Sequence, residues 1–263
     1  MRLATILAAG WLTACALTGL PAVQPRLNAL RPAGAILVGE QHDAQAHQRL
    51  EQALVQDLAD RGQLAALVLE MAERGTSTAN LPPDATAQQV QDVLLWNAAG
   101  WPWERYAPAI MAAVRHGVPV LGANLPRAAM RQAMADPGLD THLAGTALAR
   151  QNEAIRLGHC NLLPAEHALP MLRIQLARDA SMAAAVVAAR VPGKTVLLIA
   201  GGGHVVRDRG VPTYLPPSMR VRTILAVAGM PSADDALASD LVWPTAALAP
   251  QDHCAELARQ LRP

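Results

Sequence analysis

The sequence predicts an α/β fold: a mostly parallel central sheet flanked by helices, with a smaller helical subdomain inserted. Three observations predict it. Short, near-continuous runs of aliphatic residues recur along the chain, as strands covered on both faces require. Between them lie stretches whose apolar residues fall at helical spacing. The 263 residues, 52% hydrophobic and 16% charged, suffice to bury a sizeable core.

The elements follow in order. Four aliphatic runs, 35–38, 66–69, 118–121 and 195–199, read as buried parallel strands. A fifth, 220–227, alternates more and is expected at a sheet edge. From His47 to Arg61 the stripe Leu50, Leu54 and Leu58 gives a helix that Gly62 ends. Residues 85–97 and 104–116 give two more helices, separated by a Gly-Trp-Pro turn. The stretch 127–190 carries no strand signal, is broken near Pro137-Gly138, Asn161 to Pro164 and Pro170, and is too long for one crossover. It reads as the helical insert.

The N-terminus reads as an address. Arg2 precedes the apolar run 3–12, which is shorter than the roughly 20 residues a bilayer-spanning helix needs. The run ends in Leu12-Thr13-Ala14-Cys15, which resembles the bacterial lipobox, where cleavage precedes a cysteine that is then acylated. Residues 1–14 are therefore expected to be a lipoprotein signal peptide, 15–33 a lipidated tether and 34–263 the α/β domain. Ala16, in place of Asp, directs such a lipoprotein to the outer membrane. Two cysteines remain, Cys160 and Cys254, in an exported, oxidising setting. Spacing alone leaves open whether they meet. The formal net charge is +1, and loss of Arg2 brings the 22 basic residues to 21, equal to the 21 acidic ones. A neutral mature chain has no electrostatic footprint for nucleic acid.

In open parallel sheets, ligands bind beyond the carboxyl ends of the strands. Here the first run leads into Gly39-Glu40-Gln41-His42-Asp43 and the second ends at Glu70. The third leads to Gly122-Ala123-Asn124, with Arg127 beyond, and the fourth into Gly201-Gly202-Gly203-His204. Each strand thus delivers polar groups to one edge of the sheet. Glycines before each histidine permit tight turns and close approach. Taken singly, the glycines read as a turn and His42 as a helix cap. Together, Glu40, His42, Glu70 and His204 form a candidate site whose donors suit a divalent metal such as Mn, Co or Zn, or iron. An unpaired buried carboxylate is costly, which argues that Glu40 and Glu70 have partners. The remaining histidines, 47, 116, 142, 159, 167 and 253, read as surface residues. Trp96, Trp101, Trp103 and Tyr106 hold four of the chain's seven aromatics. They read either as a flat cofactor's packing surface or as an anchor for a helix on the sheet.

These motifs, with the segment Trp101-Pro102-Trp103-Glu104-Arg105-Tyr106-Ala107-Pro108, His159-Cys160 and Arg178-Asp179, resemble the ChaN family. Its members are haem-binding lipoproteins of iron uptake in the Tiki and erythromycin-esterase-like superfamily. The resemblance covers about residues 33–227. It implies haem as cofactor, a tyrosine as iron ligand (Tyr106, with Tyr214 the weaker candidate), and Trp101, Trp103, Asn124 and Arg127 around the porphyrin. It also implies a homodimer around stacked haems and an outer-membrane haem receptor as partner. The enzymatic branch of the superfamily uses the same Glu and His positions. The alternative is therefore a metal-dependent hydrolase, with His42, His204 and Glu70 holding the ion and Glu40 as general base.

Overall fold

The computed structural model describes residues 23–260; the signal segment 1–14 and the lipobox Cys15 lie outside the described residues. In chain order the elements are α1 (Val23–Leu30), β1 (Ala35–Glu40), α2 (Gln45–Asp60), β2 (Leu64–Glu73), α3 (Ala87–Leu94), α4 (Trp103–Arg115), β3 (Val120–Asn124), α5 (Met130–Ala135), α6 (Gly145–Gly158), α7 (Ala165–Ala188), β4 (Thr195–Gly201), β5 (Val221–Ala228), α8 (Ala233–Ala238), β6 (Leu241–Thr245) and α9 (His253–Gln260). The six strands form one parallel sheet in the order β3-β2-β4-β1-β5-β6.

The aliphatic runs form strands because both their faces are covered. Along β1 and β4 every residue is buried. Ile36, Val38, Leu67, Leu69, Leu197 and Ile199 pack on α2 and α4, through Leu50, Leu54, Leu58, Ile110 and Ala113. The alternate residues Leu37, Val68, Val196 and Leu198 pack on Met182, Ala183 and Val186 of α7. The period of two divides each strand between the two helical layers. A small separate cluster, Leu143, Ile155, Leu172 and Leu176, is the core of the insert.

Three expectations are corrected. β5 does not lie at an edge: it pairs with β1 on one side and β6 on the other. β6 escapes sequence reading because Pro244 interrupts its apolar run; an edge strand, which β6 is, tolerates such a proline. Residues 23–30, within the stretch read as tether, form α1, whose Leu27 and Leu30 are buried in the main core. Arg26 also lies over the buried Trp243 ring, 4.6 Å from its centroid. Within the stretch read as the insert, the second half of α7 packs directly on the sheet, so the excursion from the sheet is chiefly 127–158 with the start of α7. The open question about the cysteines is answered: Cys160 and Cys254 form a disulfide, with Cα atoms 5.5 Å apart.

The strand order places the site. From β1 the chain leaves toward β2 and β3, and from β4 toward β5 and β6, although β1 and β4 are neighbours. Connections departing in opposite directions open a crevice at the carboxyl ends of this pair. Glu40 and Gly201 are register partners at that point.

Candidate functional site

Glu40, the last residue of β1, is buried, and its carboxylate is fully used. Oε1 accepts from His42 Nδ1 and from the Tyr106 hydroxyl, each at 2.8 Å, and Oε2 accepts from the Gln48 amide. Burial by itself would raise its pKa, but these donors and the His42 charge hold it below the usual carboxylate value. His42 is raised in turn: the bond to Glu40 and the charges of Glu70 and Glu40 outweigh burial.

Glu70, near the end of β2, lies across from this pair. Its Oε2 accepts the Gly201 N–H at 2.7 Å, and Oε1 is 3.4 Å from His204 Nε2. His204 Nδ1 donates to Asp179 Oδ1 of α7 at 2.6 Å. Burial opposes both charges, yet His204, His42 and the Gly201 N–H pull Glu70 down to about 2. Glu70 and Asp179 likewise push His204 up to about 10. The result is an ordered line Asp179–His204–Glu70 with a charged imidazole between two carboxylates. Burial holds Asp179 itself above its ordinary value.

The glycines fit the close approach expected of them. A Cβ on Gly201 would stand 3.0 Å from His42 Nε2, and one on Gly39 only 2.4 Å from Val205 Cγ2. The Gly202–Val205 turn can therefore lie directly on β1 only with glycine at 39.

Beneath the site, the first turns of α2 contribute buried polar groups. Glu51 is fully buried beside Glu40, and burial with the Glu40 charge pushes its pKa well up. Above the strand tips opens a cavity of about 430 Å³. Its floor is Glu40, His42, Glu70 and His204 with the glycine turn, and its walls include Gln151 and His159 of the α6 region, Gln175 and Arg178 of α7, and Arg209.

The model of the family described as haem-binding uptake, Tiki superfamily, ChaN matches residues 26–215. The chain belongs to the ChaN family. Among solved structures it is similar to ChaN of Campylobacter jejuni, described for its cofacial haem binding, at 24% identity and a TM-score of 0.64, covering 83% of this chain and 89% of that one. It is also similar to the type III effector HopBA1, at 16% identity and a TM-score of 0.51, covering 86% and 94% of the two chains. At these identities the likeness shows a shared fold. No curated protein matches the chain significantly.

For this ChaN-family chain, the structure brings together Glu40, His42, Glu70 and His204, the four residues expected to share a pocket. It does not bring the expected cofactor-binding residues to that cavity. Tyr106 is buried in the main core with its hydroxyl donating to Glu40, and burial and the nearby carboxylates raise its pKa. Trp96, Trp103 and Tyr106 pack on one another, and the Trp96 indole N–H donates to the Trp101 carbonyl at 2.9 Å. The aromatic cluster is thus the anchor of α3 and α4 on the sheet. Trp101 alone reaches the site's rim, edge-on to His42 at 4.7 Å. Tyr214 stacks flat on His142 at 3.6 Å, also outside the cavity lining. Asn124 ends β3 half-buried, and Arg127 is exposed, with its backbone N–H donating to Glu73.

Three of the histidines read as surface residues are not, among them the half-buried His142 stacked on Tyr214. His47 is fully buried, accepting the Gln41 N–H at Nδ1 and donating from Nε2 to Thr245, and burial lowers its pKa. His159 lines the cavity, with Nδ1–H donating to the Ile155 carbonyl at 2.8 Å. Asp179, Gln48, Glu51, Gln151 and Arg178 were not singled out as site residues. One signal was available for Asp179. It interrupts a buried helical stripe, Leu172, Leu176, Asp179, Ala183 and Val186, where a charge needs a partner.

The donor chemistry suits a metal ion, but the placement does not. Among the described residues no group of three His, Cys, Asp or Glu side chains is positioned to hold one. Glu70 Oε1 and His204 Nε2 instead stand 3.4 Å apart as an ion pair.

Proposed function

We propose that this protein is a haem-binding outer-membrane lipoprotein of iron uptake, held to lipid through acylated Cys15, and that haem enters the cavity above β1, β2 and β4. Family membership supports haem as the ligand. The observation that carries the location is His159. Its Nδ1–H is committed to a backbone carbonyl, which leaves Nε2 as the lone-pair nitrogen of a residue lining the cavity. That is the usual arrangement of an iron-binding imidazole. Bound haem supplies a ferric centre for storage or transfer. The chain's own groups then hold the porphyrin and keep the floor charged and ordered.

Adding haemin to the mature protein should give a saturable Soret band. Tyr106→Phe should preserve it, because that hydroxyl faces Glu40, and His159→Ala should shift or weaken it. No saturable spectral change in the wild-type protein overturns the proposal. Radiolabelled fatty acid incorporated in the cell, and lost in Cys15→Ser, tests the anchor. A doubling of mass on haemin addition, read by sedimentation, tests pairing of two copies around the cofactor.

A second reading, hydrolysis at the Glu40–His42–Glu70–His204 cluster, is favoured by the strongly displaced pKa values of Glu70 and His204 in one cavity. Loading with Mn, Co or Zn followed by elemental analysis checks its metal-dependent form. A protein free of bound metal after loading removes that form.

A further inference from the structure

The walls of the cavity differ from its floor. On the floor, Glu40 is bonded to His42, and Glu70 to His204 and the Gly201 N–H. On the wall, Arg209 is held by Asp208 at 2.9 Å, and Asp208 is also 3.3 Å from Arg150. Asp179, the sequence neighbour of Arg178, is turned to His204. Arg178 is left. It lines the cavity, and its Nε is buried without a hydrogen-bond partner. Arg178 as a whole is only half-buried, so its side chain meets the cavity while its shut-away Nε–H finds no acceptor, which is costly. Gln175 lies three residues earlier on α7, on the same helical face, and Gln151 of α6 stands in the same lining; Gln151 is itself buried. A guanidinium flanked by two amides offers planar N–H donors in the pattern that carboxylates accept.

We infer that the α6/α7 wall is a carboxylate subsite, in which Arg178 with Gln151 and Gln175 receives a propionate of the bound porphyrin. The inference rests on the haem reading above and adds the group that orients the ligand.

The test compares haemin with haemin dimethyl ester, whose propionates are masked, on the mature wild-type protein and on Arg178→Gln and Arg178→Lys, by spectroscopic titration. Thermal midpoints of the three proteins control for folding. Wild-type protein should bind the free acid at least about tenfold more tightly than the ester, the range expected for one charge-assisted contact. Arg178→Gln should bind the two alike. Arg178→Lys should recover part of the preference, since it keeps the charge and loses the fork. Iron-free protoporphyrin should show the same acid preference, because the contact does not involve the metal. Equal affinity of wild-type protein for acid and ester overturns the subsite while leaving haem binding intact. Failure of wild-type protein to bind either compound overturns the haem reading itself. Binding of succinate alone that depends on Arg178, with acid and ester haemin bound equally, reassigns the wall to small free carboxylates and overturns the propionate assignment.

Discussion

Glu70 and His204 carry opposite charges in a nearly dry place, and each depends on the other. Removing one partner of a buried pair strands a charge, at a cost of about 3–5 kcal/mol. Chemical denaturation should show a loss of that size for His204→Gln, and a smaller loss when Glu70→Gln is added to it. The pH dependence has a definite sign. His204 is raised from 6.5 to about 10, so its contribution is complete below pH 6.5 and disappears as pH climbs through 10. The stability gap between wild-type protein and His204→Gln should therefore narrow steadily over that interval. Glu70, lowered from 4.5 to about 2, contributes above pH 4.5 and loses its contribution as pH falls toward 2. Measuring against Glu70→Gln isolates this acid limb from that of His47, which also favours the folded state less as it charges. At Gly39, a methyl group would collide with Val205 and the Gly202 backbone. Gly39→Ala should cost about 1–3 kcal/mol, read from the unfolding midpoint.

Elements divide their labour along their length. α2 begins just beyond the carboxyl end of β1, so its first turns, with His47, Gln48 and Glu51, underlie the site. Its later turns, with Leu54, Val55 and Leu58, cover the sheet. One helix thus carries a buried polar half and a buried apolar half, and its apolar stripe alone hides the first. α1 makes a sharper prediction. Were residues 23–30 only a spacer, Leu27→Ala would leave stability unchanged. Because Leu27 is wholly buried against the main core, the substitution should cost about 2–5 kcal/mol. A thermal midpoint identical to wild type would return α1 to the tether.

At the scale of the molecule, the insert is held at two points. α7 binds it to the sheet, and the Cys160–Cys254 disulfide binds the turn after α6 to α9. The bridge closes a loop of 94 residues and sits beside His159. Replacing both cysteines by serine should lower stability by about 2–4 kcal/mol. The same variant should weaken haemin binding, because His159 loses its fixed neighbour. Unfolding in the presence and absence of reductant gives the first quantity, and a spectroscopic titration the second.

The chain itself determined the five aliphatic strands, their mostly parallel pairing, and the polar residues at their tips. Those are local properties: a strand repeats every two residues, and whatever follows it emerges at one edge of the sheet. Glu40, His42, Glu70 and His204 were legible for that reason. Tertiary structure alone decided what the helices add. Asp179, Glu51 and Arg178 reach the site from elements whose orientation depends on distant packing partners, and Tyr106 and the tryptophans turned inward for the same reason. Which side of a helix faces a cavity is fixed by what the other sides must bury, and that sum is made only when all the layers are in place.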